Sequence, residues 1–146
     1  ADVATALGIT IKALRHLAFH AEASRGTHYR HFEVPKRTGG VRRLSAPMPK
    51  LAAVQHWILA NVLEKLPTES PAHGFIKGRS TVTNARPHAG RDVVVNQDLV
   101  DFFPTITFPR VRGVFARCGY SPAVATIFAL LTTESPRQQA TNAGIT

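Results

Sequence analysis

Val93-Val94-Val95-Asn96-Gln97-Asp98-Leu99-Val100-Asp101-Phe102-Phe103-Pro104-Thr105-Ile106 is the stretch on which the reading of this chain turns. Its β-branched opening suits a buried strand and predicts one over Asp92 to Leu99. Side chains alternate along a strand, so Val94, Asn96 and Asp98 share one face while Val93, Val95 and Gln97 share the other. Asp98 then stands at the strand's end. A carboxylate just outside a hydrophobic strand can hold a hard divalent cation when other oxygen ligands converge on it. The same Asp-x-x-Asp spacing also suits Asp98 or Asp101 as the cap of a turn or helix. Taken alone, these residues leave both readings open. Asp98 and Asp101 are nevertheless the only acids between Asp92 and Glu134.

Upstream, Leu7, Ile11, Leu14, Leu17 and Ala18 fall at helical spacings, with Gly8 and Thr10 placed to separate a short helix from a longer one. Tyr29 to Val34 alternates large apolar with polar residues, and Val41 to Leu44 resumes extended character after Pro35-Lys36-Arg37-Thr38-Gly39-Gly40. A β-hairpin with a basic, glycine-containing tip follows. Leu51, Val54, Ile58, Val62, Leu63 and Leu66 form one apolar stripe, which predicts a helix from about Lys50 to Lys65, stopped before Pro67. Pro71 to Lys77 reads as a loop and Gly78 to His88 as a weaker helical pattern. Two helices, Pro109 to Cys118 and Ser121 to Leu131, flank Gly119-Tyr120, and a polar tail begins at Thr132.

Composition limits what such a chain can do. Its 146 residues suit one domain, and 44% hydrophobic content supplies a core. Lys and Arg number 18 against 9 Asp and Glu, giving a net charge of +9, which directs attention to polyanionic partners. The single cysteine, Cys118, excludes an internal disulfide and a cysteine-rich zinc module. No segment approaches the roughly 18 apolar residues of a membrane span, and there is no signal-peptide pattern at the N-terminus. The expectation is a soluble, intracellular protein with no membrane partner. The opening at Ala1 and the end at Gly144-Ile145-Thr146 suggest a piece of a longer polypeptide.

The Asp-Leu-Val-Asp-Phe-Phe-Pro-Thr-Ile string with its hydrophobic strand resembles motif A of reverse transcriptases of the bacterial retron and group II intron-like type. Two further blocks carry the same likeness. Ala72-His73-Gly74-Phe75-Ile76-Lys77-Gly78-Arg79-Ser80, followed by Asn84, Ala85 and His88, resembles the block that precedes motif A. Val34 to Leu44, with Pro47 and Gln55, resembles the fingers hairpin and the helix after it. Three ordered blocks between Tyr29 and Leu131 are far more specific than any one alone. The retron branch is the nearest.

The resemblance implies an α+β chain comprising the fingers and first part of the palm of a right-hand polymerase, with an incomplete palm sheet. Residues 1–28 would be an N-terminal helical segment, 29–71 the fingers hairpin and helix, and 72–146 the fingers/palm segment carrying motif A. Asp98 would be the first catalytic aspartate, binding two Mg2+ ions in the complete enzyme with the Leu99 carbonyl as a further ligand. Amides near Asp101 and Phe102 would face the triphosphate. Phe103 would be the aromatic gate that excludes a ribose 2′-hydroxyl, with Phe102 in the core. Lys36 and Arg42 would hold the incoming dNTP, a role that guanidinium forks and ammonium charges suit. Arg37 and Arg43 would point away from them or towards the template.

Lys77 and Arg79 would contact template or primer phosphates, the alternative being a tight loop with Gly74 and Gly78 serving backbone geometry and Phe75 in the core. Arg86, Arg91, Arg110, Arg112 and Arg117 would add diffuse attraction to nucleic acid. The implied partners are an RNA template, a DNA or RNA primer, dNTP and a cognate non-coding RNA, in a bacterial-type cytoplasm; phage defence and mobility both remain open as roles. A Tyr-x-Asp-Asp hairpin, the Gln-Gly element and a thumb have no counterpart in this sequence, so the isolated chain is expected to be inactive. A fragment, one chain of a split polymerase, and a non-catalytic RNA-binding relative all fit that pattern. His16 and His20 stand four apart on a helix without a third ligand, which favours ordinary surface histidines. Trp57 reads as a partly buried anchor, and Cys118 as inert.

Overall fold

The computed structural model describes residues 2–18, 28–37, 39–100 and 102–134. Two short helices, α1 (Asp2–Ala6) and α2 (Ile11–Ala18), open the chain, and Thr10 caps the second by accepting the Ala13 amide at 3.1 Å. An antiparallel hairpin follows, β1 (Tyr29–Pro35) and β2 (Val41–Pro47). Its tip closes through the Lys36 N–H to the Gly40 carbonyl and the Gly39 N–H to the Lys36 carbonyl, with Gly39 and Gly40 both at positive φ. The left-handed region is open to glycine at no steric cost, so this turn needs those residues.

Pro49 opens α3 (Pro49–Asn61), where its missing N–H costs no helical bond. Leu51, Val54, Ile58 and Val62 are all buried, three or four residues apart on a single face. A 3-10 turn, Leu63–Lys65, ends the segment before Pro67. After a long irregular stretch come α4 (Thr81–Ala85), α5 (Phe108–Arg117) and α6 (Pro122–Thr132). The α5 to α6 corner is a glycine-terminated helix end: Gly119, at φ +88°, donates to the Ala116 carbonyl while Tyr120 donates to Phe115.

One core joins these helices. Ala4, Leu14, Leu17 and Ala18 meet Leu51, Val54, Ile58 and Val62 from α3 and its end, Phe115 from α5, and Ala125, Phe128, Ala129 and Leu131 from α6. Phe128 packs between Phe115 and Tyr120, with ring centroids 5.3 and 5.1 Å away. Of the hairpin only Tyr29 is buried, so the arm is held at its root. Trp57 is partly buried, as expected, and borders an apolar hollow of about 820 Å³ between the α1–α2 turn and α3. No helix among the described residues is long and apolar enough to cross a membrane.

The strand expected over Asp92 to Leu99 is not formed. Residues 93–99 carry no ladder, and the only sheet among the described residues is the two-stranded hairpin. A strand exists only where a neighbour supplies partners for its backbone groups, and no described segment pairs with this one. Its apolar side chains consequently face water, Val93 at 78% and Leu99 at 69% exposure. Phe102, expected in the core, is 47% exposed for the same reason.

Candidate nucleotide and nucleic-acid site

The hairpin register decides which basic residues act together. Val34 pairs with Arg42 and Glu33 with Arg43, so Arg42 and Arg43 occupy opposite faces. On the Arg43 face the guanidinium Nε donates to Glu33 Oε1 at 3.0 Å, a cross-strand pair exposed to solvent. The other face forms a hollow of about 420 Å³ lined by Val34, Pro35, Lys36, Arg37, Arg42 and Leu44. Three cations and no carboxylate therefore border one concavity. Arg37 joins Lys36 and Arg42 rather than pointing away, because the chain leaves strand geometry at Lys36 and the two-residue alternation ends there.

The block from Ala72 to Ser80 is a folded loop. Arg79 Nη1 donates to the carbonyls of Glu69 and Ser70, each at 2.9 Å, and to that of Ala72. The far end is fastened by a capping box, in which Ser80 accepts the Thr83 amide and the Thr83 hydroxyl oxygen accepts the Ser80 amide. His73 Nδ1 lies 3.0 Å from the same Thr83 hydroxyl. Phe75 sits at the loop's turn with φ +59° and 98% exposure, so the core placement considered for it does not occur. Lys77 is exposed and makes no ion pair among the described residues.

The Val93–Ile106 stretch ends in a 3-10 turn, Phe103–Thr105, with Pro104 near its start. The Phe102 carbonyl accepts both the Thr105 hydroxyl at 2.6 Å and the Thr105 amide at 3.2 Å. Phe103 is 66% exposed and meets the Phe102 ring at 5.4 Å and the Phe75 ring at 6.3 Å, edge to face in both cases. The contact with Phe75 brings the Ala72–Ser80 block and the Val93–Ile106 stretch together. Asp98 is exposed, and its Oδ1 accepts the Leu99 amide at 3.0 Å; its carboxylate lone pairs that remain free and the Leu99 carbonyl are oxygens a cation could use. Asp101 lies outside the described residues. No cluster of three His, Cys, Asp or Glu side chains occurs among the described residues, whereas Mg2+ demands about six oxygens. Asp98 and Leu99 thus suit part of a ligand set.

Sequence reasoning named Gln55 only as part of the hairpin block and missed that it seats the hairpin. Gln55 Nε2 donates to the Tyr29 hydroxyl at 3.0 Å and to the Leu131 carbonyl at 2.8 Å. Burial raises the Tyr29 phenol above its ordinary value, the charge on Glu134 acts in the same direction, and the Gln55 hydrogen bond opposes them. His31 Nε2 lies 2.7 Å from Glu134 Oε1, a second tie from β1 to the segment just past α6. The available signal was an amide directly after Val54 on a helix whose apolar stripe is buried.

The chain is homologous to reverse transcriptases. These relatives are the enzymes of retrons: it is 51% identical over 144 residues to the retron Mx65 reverse transcriptase and 47% identical over 136 residues to the retron Mx162 reverse transcriptase, both of Myxococcus xanthus. Those matches take in 99% and 93% of this chain but 34% and 28% of the relatives. The retron Ec86 reverse transcriptase of Escherichia coli is 35% identical over 128 residues, 86% of this chain and 39% of that protein. The chain therefore spans about a third of the length of the curated relatives it matches. No protein-family profile matches it.

Proposed function

We propose that the chain is the fingers and first part of the palm of a retron-type RNA-directed DNA polymerase, which extends a primer 3′-hydroxyl on an RNA template from dNTP. The observation that carries this reading is the cation-lined hairpin hollow in a chain homologous to retron reverse transcriptases. Lys36, Arg37 and Arg42 would bind the triphosphate there, their charges uncompensated by any lining acid. Phe103 would test the sugar of the incoming nucleotide. Asp98 and the Leu99 carbonyl would contribute to a Mg2+ site, completed by carboxylates beyond those described. Bound Mg2+ would activate the 3′-hydroxyl and neutralise the leaving pyrophosphate.

Lys77 and the dispersed arginines would attract the nucleic acid, a non-coding RNA among its forms. Residues 29–71 would act as the fingers arm and 72–146 as the segment leading into the palm. The bacterial relatives favour a cytoplasmic setting.

Asp98→Asn in the full-length enzyme tests the reading. Primer extension should be abolished while RNA binding, measured by filter retention, is retained. Full extension activity in that variant would remove Asp98 from catalysis and with it the motif A assignment.

A further inference from the structure

We propose that Phe75 is a positioning residue for sugar selectivity: its ring buttresses Phe103 from the side, and Arg79 fixes the loop that presents it. The proposal rests on the reading of Phe103 as the gate. A gate rejects a 2′-hydroxyl only if its ring resists being pushed aside. Phe103 is 66% exposed, so bulk packing does not supply that resistance. Its neighbour Phe102, at 5.4 Å, belongs to the same turn and travels with it. Phe75, at 6.3 Å and 78° between ring planes, comes from a separate loop and refers the gate to a second part of the chain. Both geometries fall in the favoured edge-to-face range.

The placement of Phe75 is imposed rather than a result of its own burial. The ring is 98% exposed, and φ of +59° is a conformation that a bulky residue rarely adopts. Such an outlier persists where the surroundings over-determine it. Arg79 gathers the carbonyls of Glu69, Ser70 and Ala72 before the turn, and its own amide donates to Ile76 at 3.1 Å after it. The Ser80 and Thr83 capping box then anchors the exit to α4. All three contacts come from Nη1 and are charge-assisted, which strengthens the clamp. Arg79 is thereby assigned to the loop rather than to a phosphate.

The experiment measures kcat/KM for matched deoxy- and ribonucleoside triphosphates in primer extension by the full-length enzyme, with Phe103→Ala, Phe75→Ala, Phe75→Tyr and Arg79→Ala, and RNA affinity alongside. Phe103→Ala should relax discrimination. Phe75→Ala should lower it about two- to tenfold through a gain with ribonucleotides, the range an aromatic pair is worth, and Phe75→Tyr should restore it. Arg79→Ala should follow Phe75→Ala. Unchanged selectivity in Phe103→Ala would sink the gate reading itself. Relaxed selectivity in Phe103→Ala with wild-type selectivity in Phe75→Ala would overturn the buttress alone. Loss of RNA affinity at unchanged selectivity would make Phe75 a base-stacking platform, or Arg79 a phosphate contact, and would likewise overturn the proposal.

Discussion

The side-chain amide of Gln55 donates to the backbone carbonyl of Leu131 at 2.8 Å, tying the middle of α3 to the last turn of α6. The last carbonyls of a helix have no partner within it, so an outside donor satisfies a group that would otherwise stay unpaired. Because the same amide nitrogen also donates to the Tyr29 hydroxyl, the root of the hairpin is held against both helices at once. Position of the arm follows from this junction, since the rest of the hairpin is exposed apart from the half-buried Ala46 and Pro47 at its root.

Replacing Gln55 with Leu keeps similar bulk but leaves the Leu131 carbonyl and the Tyr29 hydroxyl each short of a bond. A loss of about 1–3 kcal/mol is expected, which corresponds to a fall in Tm of several degrees for a chain of this size. Thermal denaturation followed by circular dichroism checks it, and an unchanged Tm would show that water replaces the amide at no cost.

Tyr29 gives the fold an alkaline limit. Its folded pKa lies above the ordinary value of 10.0, mainly through burial, so the folded chain holds the phenolic proton more tightly than the unfolded chain. This contribution is fully present below about pH 10 and is lost as pH rises from there through the folded pKa. Tyr29→Phe should flatten the decline in stability as pH rises above about 10 through the folded pKa. Denaturant midpoints of the two proteins across that window provide the comparison; parallel slopes would exclude Tyr29 as the source.

Opposite faces of one hairpin should behave differently with nucleotide. On the proposed role of the hollow, Lys36→Ala and Arg42→Ala would each remove a charge-assisted contact of about 1.5–3 kcal/mol, so KM for dNTP should rise at least tenfold. Arg43 is engaged by Glu33 on the other face, and Arg43→Ala should change that KM less than about twofold. Steady-state primer extension separates the cases. A large effect of Arg43 would mean that the register does not divide the two functions.

Lys77 is exposed and outside any ion pair among the described residues. Lys77→Ala should weaken RNA binding evenly across sequences and reduce the slope of log K against log salt by about 0.7, as for one phosphate contact to a single strand. A titration at several salt concentrations gives the slope, and an unaltered value would remove Lys77 from the interface.

At the α5 to α6 corner, Gly119 holds φ +88° with no atom near the place a Cβ would occupy. Gly119→Ala should therefore cost about 1–2 kcal/mol from backbone strain alone, read as a shift in the urea midpoint. A neutral result would indicate that the corner relaxes.

Local patterns were legible without coordinates wherever the physics is local. The period of Leu51, Val54, Ile58 and Val62 dictated α3 and its buried face, Gly39-Gly40 dictated a tight tip, and prolines and Gly119 marked helix ends. The three sequence blocks likewise carried the relationship to reverse transcriptases, now borne out by homologues matching nearly the whole chain. The valine run misled because a strand is a property of a pair: composition can favour extended backbone, but only a neighbour can complete the ladder.

By itself, then, the sequence determined the helices, the hairpin, the surplus of positive charge and the kinship. Tertiary structure alone decided that Arg37 and Arg42 share a hollow while Arg43 is tied to Glu33, that Gln55 joins three elements, and that Phe75 reaches Phe103. The physical reason is range. Periodicity and backbone preference act within a few residues, whereas faces, hydrogen-bond partners and ring contacts depend on which distant segments the burial of a common core brings together.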